Sequence, residues 1–213
     1  MHCPPKASSR NSIDLDYNMF SDHFTPFWDK RMKKNEQDFS DIEVYYGGKI
    51  WYLHKVLLSI RPYFKKLVSK TNSSQPCIIE NPEPNPKAFD RLLKFIYFPS
   101  PIETQTDIEN LEETEIKSLL VEAARFQMMD IKDMCEKKLL DTINSANVLS
   151  LLLFGMEQSL EALKGQALKL MVSCIQSGAI TRETILNELS AMDVEKKDKI
   201  IMLFIMEKVH LNR

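Results

Sequence analysis

The chain has 213 residues, 44% hydrophobic and 27% charged, an ordinary globular composition that excludes a wholly disordered or collagen-like polymer. At about 100–200 residues per domain, it makes one large domain or two small ones. Twenty-eight basic against thirty acidic residues leave a net charge of −2, the wrong balance for a protein that holds nucleic acid by neutralising phosphates.

Residues 1–20 are polar, carry Pro4-Pro5 and Ser8-Ser9, and show no helical or strand period, so they are expected to form a flexible N-terminal tail. They lack the basic start and apolar run of a secretory signal. The densest apolar run, Ile200 to Met206, is far shorter than the roughly 20 residues that span a bilayer. The expected compartment is therefore the cytoplasm or nucleus. There the widely spaced Cys3, Cys77, Cys135 and Cys174 would be free thiols, and the Asn72-Ser73-Ser74 sequon would stay unused.

From Ser21 to Lys34 a helix is predicted, because Phe24, Phe27, Trp28 and Met32 form one apolar stripe. An aromatic stripe of that size needs something to cover it. Ile42, Val44 and Tyr46 then alternate with polar or outward positions, Gly47-Gly48 follows, and a second alternating run ends at Leu53. Two such runs around a Gly-Gly pair predict a β-hairpin, since two-residue hairpin turns need positive φ. Val56, Leu57 and Ile60 read as the apolar positions of a short helix. Pro62 breaks it and suits the first turn of another, carrying Phe64, Leu67 and Val68. Cys77-Ile78-Ile79 predicts a third strand, and the segment Asn81 to Pro86, with three prolines, a stiff connection.

Phe89, Leu92, Leu93, Ile96 and Tyr97 mark a strong amphipathic helix that Pro99 and Pro101 are expected to stop, leaving 99–110 as a polar loop. From about Glu112 the pattern is helical throughout. Ile116, Leu119, Leu120 and Ala123 form one stripe, and Asp130 with Asp133 resembles a capping pair before Met134, Cys135 and Leu139. Further stripes run from Val148 to Phe154 and through Leu160, Leu163, Ala167, Leu168 and Met171, with two last helices near 181–191 and 194–209. The fold class is therefore α+β for the first part and all-helical after it.

Little in the chain carries catalysis. His2, His23, His54 and His210 stand at no ligand-like spacing to a cysteine or to one another, so no metal is expected. With five glycines and neither GxxxxGK[ST] nor GxGxxG, no phosphate-cradling loop and no cofactor are expected. Cys135 lies on the apolar side of its helix and reads as a small buried residue. Glu112-Glu113 reads as solvated charge, and His54 as a hydrogen-bonded structural histidine. The chain is read as a non-enzyme.

Phe39-Ser40-Asp41-Ile42-Glu43-Val44, then Gly48, then Leu53-His54-Lys55-Val56-Leu57-Leu58, then Arg61-Pro62-Tyr63-Phe64, resembles the signature of the BTB/POZ domain. Ala88-Phe89 through Ile96-Tyr97, Leu119 to Ala124, and Met134-Cys135-Glu136 resemble its later helices. The resemblance implies a BTB/POZ domain over 21–142, after the tail 1–20, and a helical segment over 143–213 similar to the BACK extension of cullin-3 adaptors.

The resemblance further implies a homodimer. The family's first helix packs across a twofold axis, which would make Phe24, Phe27, Trp28 and Met32 dimer contacts; read from the residues alone, the same stripe can cover its own core. Asp41 and Lys55 resemble the family's charged dimer pocket, where they would meet at the hairpin base. From the residues alone, Asp41 serves equally as a cap and Lys55 as a solvated charge. In cullin-3 adaptors the loop after the position of Phe64 carries an apolar and an acidic residue. The candidate cullin-facing segment is Phe64, Val68, Asn72 and Ser74, and here the two loop positions, Asn72 and Ser74, are neither apolar nor acidic. The expected function is thus a homodimerising scaffold that recruits partner proteins, with a cullin-3 ubiquitin-ligase adaptor as the alternative.

Overall fold

The computed structural model describes residues 40–71 and 76–181, together with residues 183, 190, 197, 198 and 200–202. The tail, the aromatic stripe of 21–34 and most of the two last predicted helices lie outside the described residues. The described elements are β1 (Ile42–Tyr46), β2 (Lys49–Leu53), α1 (Lys55–Leu58), α2 (Pro62–Lys70), β3 (Cys77–Ile79), α3 (Pro86–Tyr97), α4 (Pro101–Glu109), α5 (Glu113–Arg125), α6 (Met129–Asp141), α7 (Val148–Glu157) and α8 (Glu161–Ser177).

β1 is the central strand, antiparallel to β2 and parallel to β3. The parallel pair requires a crossover, and α1 and α2 supply it. Alternation turns Ile42, Val44 and Tyr46 inward, level with Trp51, Leu53, Cys77 and Ile79. The predicted hairpin turn is present, with φ of +54° at Gly47 and +80° at Gly48. Gly47 is constrained twice, because a Cβ there would stand 2.7 Å from Pro86 Cγ and 2.9 Å from Pro84 Cβ. The turn therefore lies hard against the proline-rich connection.

That connection ends in a helix start. The Asn85 side chain accepts the Ala88 N–H at 3.0 Å, and Pro86 occupies the first helical position. α3 then buries Phe89, Leu92, Leu93, Phe95 and Ile96 against the sheet and against Ile116, Leu119, Leu120 and Ala123 of α5. Phe126, just past α5, sits at the centre of an aromatic cluster. Tyr63 and Tyr46 meet it edge-on at 5.1 and 5.7 Å, and Phe64 stacks on it at 5.3 Å. The α7–α8 pair presents Leu151, Leu160 and Leu163 to this core. Its other side forms a second cluster from Val148, Leu152, Ala167, Leu168 and Met171, closed by Ile200. The close approach of the two helices depends on Gly155, where a Cβ would lie 3.0 Å from the Lys164 backbone nitrogen.

Two expectations are corrected, and the burial within α1 is settled. Residues 101–109 are helical, not a loop: Ser100 caps the Glu103 N–H, Pro101 takes the first helical position, and Thr104 and Ile108 are buried. A proline that stops one helix can start the next. α6 begins at Met129, so Asp130 is no cap; its carboxylate pairs instead with Arg61 at 2.8 Å. In α1 the buried residue is Leu58, while Val56 and Ile60 face solvent.

One polar group lies deep in this apolar frame. Glu122 of α5 is 1% exposed. Each of its oxygens lies 2.8 Å from the Tyr46 hydroxyl, and Oε1 also accepts the Asn85 N–H at 3.2 Å. Asn81 Nδ2 donates to the Tyr46 oxygen at 2.6 Å, and the Arg125 guanidinium stands 3.6 Å away from the carboxylate. Burial pushes the Glu122 carboxyl above its ordinary value. Burial first, and then the bond to Glu122, pushes the Tyr46 phenol up to about 12.

Two outcomes are expected. Gly47→Ala should destabilise more than Gly48→Ala in urea unfolding. Both force an L-residue to positive φ at about 1–2 kcal/mol, but only Gly47 also clashes with the prolines; equal losses would refute the contact. Glu122 binds its proton more tightly when folded than when unfolded. Its burial cost is thus absent below the unfolded value of 4.5 and complete above the raised folded one. Wild type should lose stability relative to Glu122→Gln as pH rises through that window, and a gap that stays constant there would contradict the buried charge.

Candidate functional site

The residues singled out at the hairpin base do come together, but by a different contact. Asp41 stands just ahead of β1, and its N–H donates to the Leu53 carbonyl at 3.1 Å. Its carboxylate accepts the backbone N–H of Lys55, the first residue of α1, at 2.7 Å. Asp41 therefore caps α1 from a distance, as one of the four N–H groups that open a helix requires. Among the described ion pairs there is none between the Asp41 and Lys55 side chains. The capping alternative for Asp41 is the one realised.

His54 completes the junction. Its backbone N–H donates to the Tyr97 hydroxyl at 3.0 Å, and that hydroxyl also meets His54 Nδ1 at 3.0 Å. The last turn of α3 thereby fixes the start of α1. So held, α1 turns Leu58 into the core and leaves Val56 73% and Ile60 65% exposed. These two lie four residues apart, on one side of the helix and of the turn that continues it.

The cullin-facing candidates separate. Phe64 is wholly buried in the aromatic cluster, so its ring orients α2 from inside. Val68 is half-buried against the core, and Thr71 closes the helix by bonding back to the Leu67 carbonyl. Asn72 and Ser74 lie outside the described residues, as do Phe24, Phe27, Trp28 and Met32.

Other apolar surface is present. Tyr45 of β1 is flanked in register by Ile50 of β2 and Ile78 of β3, all three facing outward, and Ile102 and Met129 are exposed on α4 and α6. Sequence reasoning read Val56, Leu57 and Ile60 as the apolar positions of α1 and did not separate buried from exposed. What could have separated them from Leu58 is the shortness of α1, which at four residues can bury only one side chain. Among the described residues no group of His, Cys, Asp or Glu is placed to hold a metal ion, and no helix is long and apolar enough to cross a membrane. Burial pushes the Cys135 thiol up to about 12, which keeps it protonated at neutral pH. Glu113 is not simply solvated: it holds Lys117 at 2.5 Å and Asn147 at 2.8 Å, tying α5 to the start of α7. What this arrangement offers is surface for binding.

If Asp41 acts through the Lys55 amide, Asp41→Ala should lower stability by about 1 kcal/mol. Lys55→Gln should change it little, and the double-mutant coupling should be near zero. A coupling of about 0.5–1 kcal/mol would reinstate a side-chain ion pair, in the range such pairs reach at a surface.

Compared with known protein families, residues 30–143 match the model of the BTB/POZ domain. That span contains the sheet, the Glu122 anchor and the junction of Asp41, His54 and Lys55. Members of this family are interaction modules that commonly self-associate and bind partner proteins. Over more than half its length, and in the α+β fold just described, the chain belongs to the BTB/POZ domain family.

Proposed function

We propose that the chain is a non-enzymatic, homodimerising scaffold that recruits partner proteins. The observation that carries this reading is the pair Val56 and Ile60. Both are large, apolar and mostly in water, and they project from a helix whose position is fixed by Asp41 on one side and Tyr97 on the other. Burying one such side chain contributes roughly 1.5–3 kcal/mol. A twofold contact uses each residue twice. The aromatic stripe of Phe24, Phe27, Trp28 and Met32, ahead of β1 in the sequence, is a second apolar set that suits self-association. The α7–α8 pair, with its own small core, suits the BACK-like extension of such a scaffold. The buried free thiols of Cys77, Cys135 and Cys174 suit a reducing compartment such as cytoplasm or nucleus.

The scaffold reading is preferred over the cullin-3 adaptor because the polar pair Asn72 and Ser74 offers neither an apolar anchor nor a carboxylate. The test is sedimentation of the purified chain. Wild type should be a dimer at micromolar concentration, and Val56→Glu with Ile60→Glu should be a folded monomer. A monomeric wild type refutes the dimer. Stoichiometric co-purification with cullin-3 would put the adaptor ahead.

A further inference from the structure

We propose that the cleft between α3 and α5, far along the chain from the apolar face, is a binding site for one oxyanion. A partner protein would present it on an acidic or a phosphorylated side chain. The cleft holds about 140 Å³. At roughly 30 Å³ per water molecule, that is room for a carboxylate or phosphate group and some water. Lys87 and Arg91 stand four residues apart on the side of α3 that lines it, and Thr114, Glu115 and Ser118 line it from α5.

The charges in this cleft are unevenly committed. Lys87 Nζ lies 2.5 Å from Glu115 Oε1, so these two largely satisfy each other. Ser118 Oγ donates to the Thr114 carbonyl at 2.9 Å and has no further proton to give. Arg91 is half-buried; its charge acts at a distance on Glu115, yet no hydrogen bond or close ion pair ties its guanidinium to another described residue. Two cations against one carboxylate leave one positive charge, and it resides on the planar five-donor fork best matched to a carboxylate or phosphate. The Thr114 hydroxyl, in the first turn of the 13-residue α5 between Glu113 and Glu115, lines the same cleft and is a second donor there. The larger hollow between α4 and α6, about 300 Å³, has no net charge in its lining, where Lys137 and Lys138 stand with Glu109 and Asp141.

The test titrates the full chain with sodium phosphate and, separately, with sodium acetate, each at an ionic strength held constant with sodium chloride. It is read by ¹H–¹⁵N spectra that include the arginine Nε–H signals. The Arg91 Nε–H and the Thr114 amide should shift saturably with at least one of the two anions. Phosphate alone would assign the partner group as a phosphorylated residue, acetate as an acidic one. Arg91→Met keeps the apolar stem and removes the fork, and should weaken binding about tenfold or more, the loss expected for a charge-assisted pair; Arg91→Lys should fall between. If Arg91→Met disturbs the spectrum as a whole, Thr114→Val serves in its place and must also weaken binding. Shifts that grow linearly without saturating, or that persist in these variants, overturn the site. The monomeric Val56→Glu, Ile60→Glu variant should bind the anion as wild type does, so failure here and failure of the dimer are separable.

Discussion

A single buried carboxylate sets the frame on which the surfaces of this protein depend. Glu122 projects from α5 into the seam where β1 ends and the proline-rich connection passes into α3. It takes a phenol from the strand and a backbone N–H from the connection. Removing a carboxylate from water is costly, and hydrogen bonds offset that cost without turning it into a large gain. Its contribution is positional. An apolar residue there would let the hairpin, the connection and α5 slide on one another; the carboxylate has one arrangement in which its partners are all satisfied.

The consequences run along α3. Asn85, whose N–H is held by Glu122, caps the helix with its side chain, so the start of α3 is fixed to α5. Twelve residues later, about 18 Å along the axis, Tyr97 holds His54. That bond and the Asp41 cap fix the direction of α1, and with it the outward pointing of Val56 and Ile60. The apolar face is thus placed by polar contacts, and those contacts are placed by a helix anchored at its far end. The BTB/POZ frame here fixes the direction of α1 by hydrogen bonds and leaves two of its apolar side chains in water.

Much of this was legible in the sequence, because it depends on local chemistry. The Gly-Gly hairpin, the third strand, and the stripes of α3 and α5 follow from period and turn residues alone. What escaped depends on tertiary placement. Pro101 looked like a stop because the residues after it are polar; only Ile108 and the buried Thr104 show which way that helix faces. Val56, Leu58 and Ile60 are equally apolar, and only the packing of α1 against its neighbours chooses between them. Asp41 and Lys55 have opposite charges at a suggestive spacing, yet the contact uses a backbone N–H that any residue at 55 would supply. Glu122 sits beside Ala123 and Ala124 in a stripe that reads as apolar, and nothing local distinguishes it from a solvated glutamate. Phe126 just beyond the same stripe, the hub of the aromatic cluster, was likewise invisible until the strands and α2 converged on it.

The two surfaces respond to different conditions, and that difference bears on how a scaffold works. The apolar association proposed at Val56 and Ile60 would draw on the release of water, so it would depend on protein concentration and weakly on salt. A contact through Arg91 is electrostatic and partly solvated, so it weakens as ionic strength rises and its screening length shortens to about 8 Å in physiological salt. It is also set by the charge of the incoming group, which a phosphorylation can raise to about −1.5 to −2. Both surfaces are positioned by α3, one by its first turns and the other by its last. If both proposals hold, the same helix supports a contact suited to lasting self-association at one end and one suited to reversible, charge-dependent recruitment at the other.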